Sequence, residues 1–311
     1  MSILLEARSV EKHYRLGGGR VLQAVAGVSL QVRRGEALAL VGESGCGKST
    51  LGRTLIGLGA PTSGEVLFDG ARISGLSDRN MRPYRARMQM VFQDSSASFN
   101  PRRTVGEALA EPLKIHRRTG IVERVHELLD QVGMSRSVLK RYPHEFSGGQ
   151  RQRLNIARAL ALGPELLVAD EPVSALDVSV QAQIVNLFGD LRSQLGVACV
   201  FISHDLAVVR QMADRIAVMY LGGIVEQGDG LTVLGAPAHP YTKALLDAVP
   251  RPDRPLPPPL AGDVPSPVNP PSGCRFHTRC PIAQARCAQE RPELRGITGG
   301  REVACHYPLV S

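Results

Sequence analysis

Gly42-Glu43-Ser44-Gly45-Cys46-Gly47-Lys48-Ser49-Thr50 is the stretch on which the reading of this chain turns. It fits the phosphate-binding pattern G-x-x-x-x-G-K-[ST]. Ala37 to Val41, just before it, is an apolar run that predicts a buried strand, and Leu51 to Leu58, just after, predicts a helix. That strand–loop–helix setting is what the motif needs. Glycines let consecutive backbone N–H groups turn inward on a polyphosphate. The helix N-terminus adds partial positive charge. Lys48 supplies a point charge for the β- and γ-phosphates, and Ser49 a hydroxyl for Mg²⁺. A chance glycine-rich turn would not carry both flanks. Cys46 reads as a small filler in this loop, although a thiol cradled near positive charge can have its pKa lowered.

A second constellation lies downstream. Phe146-Ser147-Gly148-Gly149-Gln150 precedes a helical pattern, Arg151 to Leu160. Leu166-Leu167-Val168-Ala169-Asp170-Glu171-Pro172 is a short apolar strand ending in two carboxylates, followed by Ser174-Ala175-Leu176-Asp177. Ala198 to Ser203 reads as another buried strand, with His204 just past its end. Asp170 would sit at a strand's C-terminal end, where α/β sheets place ligand groups, and can hold Mg²⁺ directly or through water. Glu171 can polarise an attacking water as general base. Adjacent carboxylates are elsewhere often a solvated turn, but these follow four apolar residues and precede a proline.

Together these motifs resemble the ATP-binding-cassette ATPases, in the family's order, over roughly residues 1 to 249. The resemblance implies an α/β fold: an ABC-type P-loop ATPase with an antiparallel β subdomain and a helical subdomain. It also implies roles that single residues do not. Gln93, after Val91-Phe92, would contact Mg²⁺ and the water and link the core to the helical subdomain. His204, in Ser203-His204-Asp205, would contact the γ-phosphate. Tyr14, in Lys12-His13-Tyr14, would stack on adenine; its bland reading is a half-buried strand tyrosine. Ser147, Gly148, Gly149 and Gln150, with Asp177, would serve a second cassette packed head to tail. A serine hydroxyl, backbone N–H groups and a helix N-terminus make another anion-binding surface. With one phosphate loop and one signature in the chain, the partner cassette is another chain.

Composition agrees with an enzyme subunit. The chain has 311 residues, room for one large domain plus an appendix, and 43 % hydrophobic residues provide a core. No apolar run approaches the ~18 residues that span a bilayer. Met1 to Glu6 does not read as a basic-then-apolar signal segment. The net charge of +8 suits an anionic surface but comes without a long basic run, so it argues only weakly for nucleic acid or membrane. Gly27 to Val32 and Glu65 to Phe68 read as antiparallel strands, residues 95 to 160 as helix-rich, and Ile216 to Glu226 as a hairpin turning at Gly222-Gly223.

Beyond residue 249 the composition shifts. Residues 250 to 271 hold ten of the 22 prolines and predict an extended linker, 250–273. Four of the six cysteines follow: Cys274, Cys280, Cys287 and Cys305. Clustered cysteines in a cytosolic chain argue for metal over disulfides. The gaps of five, six and seventeen residues match neither a zinc ribbon nor the ferredoxin run, so spacing leaves zinc, an iron–sulfur cluster and free thiols open.

Leu221 to Glu226, His239-Pro240-Tyr241-Thr242-Lys243-Ala244-Leu245-Leu246, Asn100-Pro101-Arg102, Val180 to Gln183 and the four-cysteine tail look like the ATPase subunits of oligopeptide and dipeptide importers. That resemblance spans nearly the whole chain. It implies a nucleotide-binding domain over 1–249 and a small Cys-rich C-terminal lobe over 274–311. It implies ATP and Mg²⁺ as cofactors, and uptake of peptides, nickel or glutathione at the cytoplasmic face of a bacterial membrane. The partners would be a second, usually non-identical ATPase, two permeases and an extracellular solute-binding protein, with no nucleic acid. In some family members the tail carries a [4Fe–4S] cluster; zinc is the alternative, with His277 and His306 as stand-in ligands. Phe146 replaces the family's usual Leu, an apolar exchange. Cassettes acting on ribosomes or DNA generally have tandem cassettes or long coiled-coil insertions, absent here. A silent ATP binder would not need Glu171, Gln93 and His204 together.

Overall fold

The computed structural model describes residues 2–95, 98–249 and 262–310. In chain order, β1 (Ile3–Arg15), β2 (Val21–Arg33) and β3 (Ala37–Val41) lead to α1 (Lys48–Leu55), then β4 (Ser63–Phe68), β5 (Ala71–Arg72), α2 (Asp78–Arg87) and β6 (Met88–Val91). Next come α3 (Val105–Ile115), α4 (Ile121–Gln131), α5 (Gly148–Leu160), β7 (Leu166–Asp170), α6 (Val178–Leu195), β8 (Ala198–Ser203) and α7 (Leu206–Met212). The chain continues through β9 (Arg215–Tyr220), β10 (Gly223–Asp229), α8 (Gly230–Gly235), α9 (Pro240–Asp247), α10 (Ala285–Gln289), β11 (Arg295–Ile297) and β12 (Arg301–Val303). Two compact units result, one built on Leu76–Ile202 with Arg33–Glu36, the other on Ile3–Val32, Ala37–Gly75 and the chain from Ser203 onward. No helix among the described residues is long and apolar enough to cross a membrane.

The first unit is a parallel ladder with helices. β7 pairs with β6 (Met90 opposite Val168) and with β8 (Val168 opposite Val200). Every residue of β7 and β8 is buried, which is why both read as continuous apolar runs rather than alternating ones. The helical pattern predicted between 95 and 160 appears as α3, α4 and α5. α3 starts at a capping box, Thr104 with Glu107.

The second unit contains the antiparallel sheet β2-β1-β4-β5 and a strand series in which β3 runs parallel to β9, and β9, β10, β12 and β11 follow antiparallel. The antiparallel segments predicted near the N-terminus are therefore present, but each pairs with β1 rather than with the other. The hairpin β9–β10 turns at Leu221-Gly222, with φ of +41° and +84°, and Gly223 already belongs to β10. Positive φ at both turn residues is the geometry that matches the twist of the flanking strands.

The cysteine-bearing tail does not stand apart as a separate lobe. β12 pairs with β10, Glu226 opposite Val303, and Phe276 is buried in one core cluster with Val41, Val218, Tyr220 and Tyr241. A segment too short to form its own core borrows that of the unit it joins. Of the proline-rich linker, residues 250–261 lie outside the described residues.

Candidate functional site

β3 delivers the phosphate loop. Its five buried residues end at Val41, and α1 begins at Lys48, three residues earlier than the apolar pattern suggests. Gly47 makes the junction at φ +106°, where a Cβ would stand 2.0 Å from the Ala24 carbonyl oxygen. No other residue fits both that dihedral and that contact. Lys48 is 4 % exposed, and its ammonium donates to the carbonyl oxygens of Gly42 at 2.8 Å and Glu43 at 2.9 Å, with Cys46 Sγ at 3.8 Å. The charge is thereby carried over the loop, where Ser44, Gly45 and Cys46 form the curve. Ser49 and Thr50 lie in the first turn of α1. Burial raises the Cys46 thiol pKa and outweighs the opposing pull of Lys48. Cys46 is 5 % exposed, packed beneath the loop.

Glu43 is held from far along the chain. Its N–H donates to Tyr241 Oη at 2.9 Å, and its carboxylate accepts from Arg279 Nη1 at 2.8 Å and Nη2 at 3.1 Å. The turn residue Leu221 accepts from Arg275 Nη1, and the Gly222 N–H donates to the Cys46 carbonyl at 2.9 Å. Sequence reasoning singled out none of Arg275, Arg279 or Tyr241 as site residues. Their only signal was that they sit in the two C-terminal stretches that carried the narrower resemblance. Tyr14, 42 % exposed at the end of β1, presents an accessible ring with Lys12 Nζ 5.2 Å from its centroid. His204 is exposed, and Asp205 beside it caps α7 by accepting from the N–H groups of Ala207 and Val208.

In the first unit, Asp170 is 1 % exposed at the carboxyl end of β7, opposite Ile202 on β8. Glu171 follows at φ +46°, a left-handed conformation unusual outside glycine, with its N–H bonded to the Ile202 carbonyl at 3.0 Å. Gln93 Nε2 donates to Glu171 Oε2 at 3.1 Å, and Ser174 Oγ to the Glu171 carbonyl at 3.1 Å. The structure therefore brings Gln93, Glu171 and Ser174 together.

Ser147 is the N-cap of α5: its Oγ accepts from the Gln150 N–H at 3.4 Å, and Gln150 Oε1 accepts from the Ser147 N–H at 3.1 Å. Both residues are exposed, whereas Phe146 is buried under the Arg141 guanidinium, 4.3 Å from its ring centroid. Gly149 is needed because a Cβ would come within 2.4 Å of Val180 Cγ1, and Gly148 faces Leu176. Asp177 caps α6, accepting from the Val180 N–H at 2.9 Å and from Ser179 Oγ at 2.7 Å; the Val180 N–H and then Ser179 Oγ hold its carboxyl below the usual range.

Cys274, Cys280, Cys287 and Cys305 line one small cavity, with His277 and His306. All six cysteines of the chain are free thiols. Burial pushes up the pKa of Cys274 and Cys280, and that of Cys305 to about 11; neighbouring thiols add to the rise in all three. Among the described residues, no three His, Cys, Asp or Glu are arranged to hold a single metal ion. His277 Nδ1 and His306 Nε2 are already within 2.8 Å of the Cys274 carbonyl and 2.9 Å of the Glu290 carbonyl, respectively.

The ABC transporter family model matches residues 25–174, and the model of the oligopeptide/dipeptide transporter C-terminal region matches residues 225–287. A probable peptide ABC transporter ATP-binding protein of Sinorhizobium fredii is 54 % identical, over 97 % of this chain and 89 % of that protein. The oligopeptide transport ATP-binding protein AppF of Bacillus subtilis is 49 % identical, over 97 % of each. Among solved structures, a dimeric ATP-binding cassette in a post-hydrolysis state with ADP and Pi superposes with a TM-score of 0.67 at 30 % identity. It covers 73 % of this chain and 98 % of that one.

Proposed function

The chain belongs to the ABC transporter ATPases that carry the oligopeptide/dipeptide transporter C-terminal region, and from that premise we propose that it is the ATP-hydrolysing subunit of a bacterial importer of di- or oligopeptides, or of a related solute such as nickel or glutathione. One observation carries the reading. A complete phosphate loop, an ordered signature and the peptide-transporter C-terminal region lie in one chain that aligns almost end to end with peptide-transport ATPases.

In this reading residues 1–249 are the nucleotide-binding domain, 250–273 a linker and 274–311 the extension. The N–H groups of Gly42 to Thr50 and the Lys48 ammonium take the ATP phosphates, and Tyr14 stacks on the adenine. Ser49, Asp170 and Gln93 hold Mg²⁺, Glu171 is general base, and His204 senses the γ-phosphate. Ser147, Gly148, Gly149 and Gln150, with Asp177, act on the nucleotide of a second, non-identical ATPase. Two permeases and an extracellular binding protein complete the assembly at the cytoplasmic face of the membrane.

The four thiols that share a cavity are the residues that would hold a metal centre. Four thiolates suit either tetrahedral zinc or a cubane cluster, and the resemblance to the importer ATPases is what favours a [4Fe–4S] cluster. Such a cluster would supply folding free energy to this segment.

The test is co-expression with candidate permeases and a second ATPase, followed by affinity purification and ATP turnover in proteoliposomes. The expected result is a membrane-bound complex whose ATPase rises with peptide-loaded binding protein. A chain that instead purifies with ribosomes or DNA, and turns over ATP in response to them, would overturn the reading.

A further inference from the structure

A partly buried charge pair ties the phosphate loop to the cysteine-bearing segment. Arg279 is 9 % exposed and meets the Glu43 carboxylate with both terminal nitrogens, at 2.8 Å and 3.1 Å. Nη1 also lies 3.4 Å from Tyr220 Oη. A two-pronged charged contact of this kind fixes orientation as well as charge. The main chain of Glu43 is fixed at the same time, its N–H by Tyr241 Oη and its carbonyl by Lys48 Nζ. Beneath it the rings of Tyr220, Tyr241 and Phe276 pack with centroids 4.6 to 5.3 Å apart. Residue 43 is therefore clamped by groups 198 and 236 positions further along the chain.

A carboxylate in a loop that gathers anions is a paradox on its own. Unpaired, it opposes a polyphosphate through a partly desolvated medium, where charges act strongly. Paired with Arg279, its charge is cancelled and its main chain is held in place. We propose that Arg279 is a positioning residue for nucleotide binding: it neutralises Glu43 and locks the second residue of the phosphate loop, so that the ATP affinity of the cassette depends on the C-terminal segment. This rests on the reading that the loop from Gly42 to Thr50 binds ATP. It adds that the segment next to the cysteines, Arg279 adjoining Cys280, belongs to the same site.

The alternative is that Arg279 merely glues the segment down. The two differ in what happens when the carboxylate goes too. Removing one partner of a buried pair strands the other, whereas removing both charges does not. MgATP affinity of the full-length chain is measured by titration calorimetry for wild type, Arg279→Met, Arg279→Lys, Glu43→Gln, the Glu43→Gln/Arg279→Met double variant and Lys48→Ala. Arg279→Met is expected to weaken binding about tenfold or more in the wild-type background and less than about threefold in the Glu43→Gln background. Arg279→Lys, which keeps the charge and loses the fork, should fall between. Equal losses in both Glu43 backgrounds, or none in either, overturn the proposal. If Arg279→Met does not fold, Arg279→Lys is measured in both Glu43 backgrounds: a loss that shrinks when Glu43→Gln is present supports the proposal, and an equal loss in both, or none, overturns it. Lys48→Ala separates the two readings. If it leaves affinity intact, the assignment of the loop itself fails. If it lowers affinity while Arg279→Met leaves affinity unchanged, only the role of Arg279 fails.

Discussion

Gln93 Nε2 and the Glu171 carboxylate are hydrogen-bonded at 3.1 Å, and Glu171 is the one of the two whose backbone is strained, at φ +46°. A left-handed non-glycine residue costs of order 1–3 kcal/mol and persists only where its surroundings hold it. Here the holding groups are the Ile202 carbonyl on its N–H and Ser174 Oγ on its carbonyl. Those contacts fix the backbone, and Gln93 Nε2 holds the carboxylate, an arrangement that suits the proposed general base. Glu171→Gln keeps the size and the contact to Gln93 but cannot take a proton. Hydrolysis should fall by about 10²- to 10⁴-fold, while MgATP affinity stays within about threefold. Phosphate release from an assembled transporter whose other site is inactivated measures this, and near-normal turnover would remove Glu171 from the role.

Lys48→Ala acts on binding instead. The ammonium is buried and bonded to two carbonyls of its own loop, so its loss removes a charge and leaves those acceptors unpaired. Charged hydrogen bonds contribute about 1.5–3 kcal/mol, so ATP affinity should drop about 10- to 100-fold, with transport lost. Equilibrium binding of MgATP gives the answer directly.

How far these residues could be read beforehand follows from how local their signals are. The phosphate loop, the signature and the carboxylate pair announce themselves within a few residues, because each is a contiguous stretch of chain. The order of the motifs then carries the fold. What the chain hides is contact across long separations. Nothing near Glu43 points to Tyr241 or Arg279, and nothing in the cysteine spacing says that β12 will pair with β10. The turn lies at Leu221-Gly222, one residue before the Gly222-Gly223 pair that the sequence favours, because a leucine at φ +41° is not a turn signal. α1 starts before its apolar pattern for a related reason: Lys48 and Ser49 are polar, and apolar periodicity does not register a polar first turn.

Ser147→Arg tests the cross-chain assignment. Ser147 caps α5 through the Gln150 N–H, so the variant should lose about 0.5–2 kcal/mol of stability. Its own ATP affinity should remain, because no phosphate-loop residue is altered. Hydrolysis at the partner ATPase's nucleotide should fall instead. Single-turnover assays on complexes with one active site at a time separate the two. Loss of the variant's own affinity would show that the signature serves its own nucleotide.

Stability against pH has a definite sign at Glu165. Its carboxylate accepts from Arg87, and from Arg34 Nη1 at 2.6 Å, and these guanidiniums, Arg87 foremost, hold it below the usual range of 4.5. A depressed carboxylate adds stability above its unfolded pKa and loses it as pH falls through the lower folded value. The side chain is 34 % exposed, so screening limits the contribution to about 1 kcal/mol. Glu165→Gln should therefore melt lower than wild type at pH 7, with the gap closing as pH drops below about 4.5. A gap that is constant from pH 7 to 3.5 would remove the ionic origin.

The cysteine cavity gives the last prediction. Four thiols from residues 274 to 305 converge there, and burial keeps Cys305 protonated up to about pH 11 when no metal is bound. Ligation requires the thiolate form, so any metal bound there must displace those protons. Chain purified without oxygen should carry about four irons and four sulfides, with a brown absorbance, and little zinc. Cys280→Ser, removing one ligand, should lose most of the iron and lower the melting temperature by several degrees, as expected for a change of about 1–3 kcal/mol. The same protein refolded without iron should reproduce the melting temperature of the variant. A colourless wild type, free of iron and equal in stability to Cys280→Ser, would leave four reduced thiols in a packed segment and no metal centre.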